Sequence, residues 1–178
     1  MKTVKKSYKI KAGDILVIKP STIKDKLYTL ALQLISKITK TNKPKGSSTG
    51  LVIENNNSLQ VLVEYKSKFG IVPLSAVEVV TYMVPKNDYN KEERTKISDI
   101  VIGDFENYTT VKFTSKLKGI ASYIFGTESV VLNEDFEDAI NKVRPSTFKK
   151  ESVIPFVMEL VNSKYYVVID KKHRRISK

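Results

Sequence analysis

Between Gly50 and Val84 the chain carries four short apolar segments in quick succession: "GLVIE", "LQVLVEYK", "FGIVPLSAV" and "VVTYMV". Each is too short for a globular helix, and together they are rich in Val, Ile, Leu and Tyr, the composition of half-buried strands. "NNNS" (55–58) reads as a turn between the first two, and 66–70 as another. Strands joined by turns this short pair antiparallel with their sequence neighbours. The run therefore predicts a meander or small barrel, and the rest of the chain has to pack around it.

Upstream, "AGDILVI" (12–18) joins a turn signal at Gly13-Asp14 to a continuous apolar run, as a buried strand would. Pro20 ends that strand, and Ser21 is placed to cap a helix. In "STIKDKLYTLALQLISKITK" (21–40), Ile23, Leu27, Leu30, Ala31, Leu34, Ile35 and Ile38 recur at steps of three and four, with Lys24, Lys26, Lys37 and Lys40 elsewhere. The expectation is an amphipathic helix with that apolar face turned to the core. A polar loop, "TNKPKGSST", follows.

Downstream, "NKEERTKISDIVIGDF" predicts a helix with Ile97, Ile100, Val101 and Phe105 as its stripe. "KFTSKLKGIASYIFG" predicts a second, with Leu117, Ile120, Ala121 and Ile124 at helical spacing and Gly126 at its end. "NEDFEDAINKV" has Asn133 as a cap and acids in its first turn, where the helix dipole favours them. "SVIPFVMELVN" reads either way, because Pro155 could open a helix or break a strand, whereas "KYYVVID" is a strand. The fold class is α+β, a small antiparallel barrel-like sheet packed with helices. Residues 1–150 form the main domain and 151–178 a C-terminal extension with a basic tail.

Charge is concentrated at the two ends. The net charge is +12, but residues 1–50 hold 12 lysines against 2 aspartates, and "KKHRRISK" (171–178) holds five cations and no acid. The 120 residues between are slightly acidic. Basic ends on a near-neutral body point to an acidic partner, with Lys2, Lys5, Lys6, Lys171, Lys172, Arg174 and Arg175 as its candidate contacts. The absence of cysteine excludes disulfides, thiolate metal sites and a cysteine nucleophile. No apolar run reaches the roughly 18 residues of a membrane span, and no apolar core of a secretory signal follows the basic start.

In order along the chain, "AGDILVI" (12–18), "SSTGLVIE" (47–54), "VLVEYKSKFGIVPL" (61–74) and "KFTSKLKGIASYIF" (112–125) resemble the motifs of the permuted papain-like hydrolases, relatives of bacterial cell-wall peptidases and of lecithin retinol acyltransferase. The likeness covers roughly residues 9–143. It implies a papain-like fold in which a histidine and its polar partner precede a nucleophilic cysteine at a helix start. On that resemblance the histidine falls on Ser48, with Thr49 one position off as the alternative. The cysteine falls on Thr114, and the glutamate of the strand motif is kept as Glu64.

These departures decide the expected chemistry. The family's reaction needs a thiolate whose pKa is lowered by a helix N-terminus, and an imidazole to take and return a proton. A threonine hydroxyl without a base is a poor nucleophile, and serine is no base near neutral pH. Loss of either the nucleophile or the histidine from a triad costs on the order of 10⁶ in kcat. Thr114 is better read as a helix cap, with Ser115 competing, Ser48 as a partner for loop backbone groups, and Glu64 as a strand-edge carboxylate.

Other constellations are weaker. The one histidine, His173, stands in the basic tail with no orienting partner, and one histidine without cysteine makes a zinc site improbable. The acids of 133–138 lack the spacing of a calcium loop, and no phosphate-binding glycine motif is present. No cofactor is implied. Tyr165-Tyr166 beside the tail could stack on bases, but the simpler expectation is one packed and one exposed ring. The expected function is a catalytically inactive papain-like fold used as a structural or assembly protein, such as a connector or tail component of a phage virion. Its expected partners are other proteins, in a homo-oligomer or ring, in a virion or the cytoplasm. The alternatives are a basic nucleic-acid-binding accessory protein and an amidase or acyltransferase with a threonine nucleophile.

Overall fold

The computed structural model describes residues 8–20, 23–46, 48–65, 68–104, 137–148 and 160–170. The elements are β1 (Ile15–Ile18), α1 (Ile23–Ile38), β2 (Ser48–Asn55), β3 (Ser58–Tyr65), β4 (Lys68–Pro73), β5 (Val79–Pro85), α2 (Lys91–Asp104), a helix α3 over 137–143, and β6 (Tyr166–Asp170). The six strands form one sheet in the order β4-β3-β2-β1-β5-β6, antiparallel throughout. The mixed α+β class and the antiparallel meander expected from the sequence are both present.

Local chemistry sets the register. Asn55 pairs with Ser58, and Asn56 and Asn57 between them both take positive φ, 49° and 59°. Two central residues in that region make the tight hairpin turn whose twist matches its strands, and asparagine tolerates it better than other non-glycine residues. Tyr65 pairs with Lys68, so β4 begins inside the stretch that the sequence suggested as turn. The described residues 160 and 161 of "SVIPFVMELVN" are helical, and β6 pairs with β5 from Pro85↔Tyr166 to Thr81↔Asp170. The extension after residue 150 thus supplies an edge strand of the main sheet.

The sheet buries both faces. On one, Ile15, Val17, Leu51, Ile53, Leu62 and Met83 pack with Ile97 and Val101 of α2, with Ile140 of α3, and with Phe148 and Leu160. On the other, Leu16, Val52, Val61, Val63 and Val79 pack with Ile10, Val72, Leu74 and Val77. The second cluster follows from one short connection. β4 and β5 have three strands between them, roughly 19 Å across a flat sheet. Only residues 74–78, with a 3-10 turn at Leu74–Ala76, join the two strands. The sheet must curl over its second face to close that distance. Gly50 lies inside the curl, where a Cβ would sit 2.6 Å from Cγ1 of Val61. Closure into a barrel does not occur among the described residues. β6 occupies the free edge of β5, which leaves β4 and β6 as the two edges of an open sheet.

Helix α1 departs from expectation. Its extent matches the sequence reading, but its strongest apolar face is turned away from the core. Tyr28 and Leu32 are the core contacts, with Thr29 and Ser36 buried beside them, and the Ser36 hydroxyl donates to the Leu32 carbonyl at 2.8 Å. Ile23, Leu27, Leu30, Leu34, Ile35 and Ile38 are exposed, at 44–81%. The inward face can be semipolar at Ser36 because the backbone carbonyl one turn back satisfies its hydroxyl. Ser21, Phe105, Asn133 and the 112–126 helix expected from the sequence lie outside the described residues.

Candidate functional site

The positions matched to catalytic residues divide between described and undescribed chain. Ser48 opens β2 opposite Ile18 of β1, and Glu64 stands near the end of β3 opposite Phe69 of β4. Because Gly50 pairs with Val63, the two positions lie at the same end of adjacent strands. Thr114 lies outside the described residues, as do Lys2, Lys5, Lys6, Lys171, Lys172, His173, Arg174 and Arg175. Tyr165 is exposed, with Lys164 Nζ 4.9 Å from its ring centre. Tyr166 is buried and stacks on Phe148 at 5.6 Å. The two neighbouring rings are therefore not a joint stacking platform.

The densest polar arrangement is a clamp around Tyr89, in the loop between β5 and α2. Its first part is the Gly13-Asp14 turn. Gly13 has φ of +86°, and a Cβ there would lie 2.9 Å from Cδ2 of Tyr89, so glycine is required twice over. Asp14 is fully buried. Its Oδ2 accepts from the Tyr8 hydroxyl at 2.8 Å and from the Lys11 backbone N–H at 2.9 Å. Its Oδ1 has no hydrogen-bond partner, and Arg94 Nη1 stands 3.9 Å from it. Burial outweighs these contacts and pushes the carboxyl up to about 6. Burial also raises the Tyr8 hydroxyl, and the Asp14 charge adds to it.

The second part is the start of α2. Asn90 and Glu93 form a reciprocal capping box, each side chain accepting from the other's backbone N–H at 2.8 Å. Arg94 donates from Nε to the Tyr89 carbonyl at 3.0 Å, from Nη1 to the Ala12 carbonyl and from Nη2 to Asp88. Arg144, just past α3, grips Glu93 with two bonds of 2.7 and 2.8 Å and donates to the carbonyls of Asn87 and Asp88. That grip holds the Glu93 carboxyl below its usual range. The Arg94 and Arg144 guanidinium carbons lie 5.6 and 4.3 Å from the centre of the Tyr89 ring. The Tyr89 and Tyr166 hydroxyls share a buried bond of 2.9 Å, which brings β6 into the same network.

This arrangement joins four separate pieces of chain, and its arginine donors are already committed to carbonyls and carboxylates. The two arginines tie the Gly13-Asp14 turn, the start of α2 and the chain just past α3 together, which makes the arrangement a clamp. Among the described residues no group of three metal-ligating side chains comes together, and no helix is long and apolar enough to cross a membrane. Sequence reading missed the clamp, although "NKEE" (90–93) carries the capping-box spacing that marks its centre. The other feature that sequence reading did not assign to function is the outward stripe of α1. Comparison with family models, curated proteins and solved structures finds no match to the chain.

Proposed function

We propose that the chain is a catalytically silent domain that serves as a structural part of a protein assembly and docks through α1. The observation that carries this reading is the outward stripe of Ile23, Leu27, Leu30, Leu34 and Ile38, on the side of the helix away from Tyr28 and Leu32. Large aliphatic side chains this exposed, gathered on one helix face rather than scattered singly, mark interaction sites. The chemistry of the sequence supports silence. There is no cysteine, and serine and threonine stand where the papain-like resemblance would put histidine and nucleophile. A virion connector or tail component is the kind of assembly that the basic ends and this composition suit.

The test of silence is turnover of peptidoglycan peptides, amides and lipid esters, which should stay at background. Turnover that disappears in Thr114→Ala and survives in a surface control would mean an active threonine nucleophile. The docking half of the reading is tested by placing Leu27→Glu with Leu34→Glu in the native assembly. Incorporation should fail while the free chain keeps its thermal stability.

A further inference from the structure

We propose that residues 8–11 are a strap that closes over Asp14 while its carboxyl is neutral and lets go when that carboxyl ionises. The segment belongs to no helix or strand. Among the described residues, each of its hydrogen bonds involves Asp14 or Asp88. The Tyr8 hydroxyl and the Lys11 backbone N–H both donate to Oδ2 of Asp14. The Asp14 N–H donates to the Lys11 carbonyl at 3.2 Å, and Lys11 Nζ pairs with Asp88. Ile10 packs against the second core cluster and adds an apolar anchor.

The two oxygens of Asp14 have separate surroundings, and that is what makes a switch. Oδ2 accepts both strap bonds, whereas Oδ1 has no hydrogen-bond partner, so a proton carried on Oδ1 leaves the strap bonds in place. Ionisation strengthens those two bonds but leaves charge on an oxygen shut off from water. The facing groups do not cancel it. They are Tyr8 and Lys11 of the strap, Asp88 and Tyr89 of the loop before α2, Arg94 of α2 and Tyr166 of β6. Asp88 is itself an acid held below its usual range. Arg94 stands 3.9 Å from Oδ1 with its donors on Ala12, Asp88 and Tyr89, and Glu93 and Arg144 pair with each other beyond the Tyr89 ring. The strap has the fewest other ties in this enclosure, so its opening is what admits water to the carboxylate. Burial holds the closed carboxyl up to about 6, and a solvated one returns to 3.8. Below about pH 4 both forms are neutral and the strap stays shut. Between pH 4 and 6 opening gains up to about tenfold per pH unit, about a hundredfold in all, and then levels off. An open strap extends the basic end of Lys2, Lys5 and Lys6 by Lys9 and Lys11.

Hydrogen exchange of the full chain tests this, read by NMR at the Lys11 amide and corrected for the intrinsic rate at each pH. Protection of that amide should fall at least about tenfold between about pH 4 and 6.5 and change little above that. It should stay below the protection of the β2–β3 ladder amides, which report unfolding of the whole sheet. Asp14→Asn should flatten the profile. Tyr8→Phe removes one strap bond, so it should lower protection at every pH and keep the slope. The wild-type profile needs no substitution, so it decides the matter even if Asp14→Asn fails to fold. A flat wild-type profile, or protection that rises with pH, overturns the inference. So does protection equal to that of the ladder amides at every pH, which would mean that the strap opens only with the whole fold. A slope that persists in Asp14→Asn would assign the titration to another group and overturns it as well.

Discussion

Asp14 is buried with one carboxylate oxygen unmatched, which gives stability an unusual pH dependence. Its folded pKa of about 6 lies above the ordinary 3.8, so between those values the folded chain holds a proton that the unfolded chain has lost. The contribution of this group to stability is complete below about pH 4 and declines as pH rises through 6. The shift corresponds to something on the order of 3 kcal/mol. Asp14→Asn cannot ionise, so the Tm difference, wild type minus variant, should grow as pH falls from 7 to 4. A difference independent of pH would show that Asp14 is ionised throughout. Glu93 acts in the opposite sense. Arg144 lowers its pKa, so its contribution is present above the unfolded pKa and fades on acidification. The Gly13-Asp14 turn could be read from the sequence because that pair has few other uses. The unmatched oxygen could not, since it depends on where Arg94, 80 residues later, comes to rest.

At the scale of elements, the sequence predicts where helices and strands lie better than which way they face. β2, β3 and β5 are each a short apolar run between turn signals, and each appears where that pattern puts it. α1 has apolar residues on two sides, and periodicity alone favours the richer one. The structure buries the poorer side because Tyr28 and Leu32 reach the core cluster and Ser36 satisfies its hydroxyl within the helix. The positions matched to catalysis show the same division. Strand register brings Ser48 and Glu64 to one end of neighbouring strands, whereas Thr114 belongs to residues that the structure does not describe. The start of α2 offers a clean test of the clamp. Asn90→Ala removes one half of the capping box and should cost about 1 kcal/mol. The loss should be measurable by urea denaturation, with α1 docking unaffected. A loss within error would mean that Arg94 and Arg144 hold the helix start without the box.

Across the whole molecule, the curled sheet, the clamp and β6 make a single unit, with its basic segments at the two chain ends. Those ends distinguish assembly from nucleic-acid binding. If they serve phosphates, removing 171–178 should reduce the slope of log K against log salt for duplex DNA by up to about five times 0.9. Under the assembly reading, DNA binding stays negligible with or without the tail, and the deletion instead weakens incorporation. The central claim is that the outward face of α1 holds the chain in its assembly. It is tested most directly by light scattering on the native complex, wild type beside Leu27→Glu/Leu34→Glu. Wild type should elute well above its 20.2 kDa monomer mass and the double variant at monomer mass with an unchanged melting temperature. Elution of both at the monomer mass, or of both in the complex, would contradict the account.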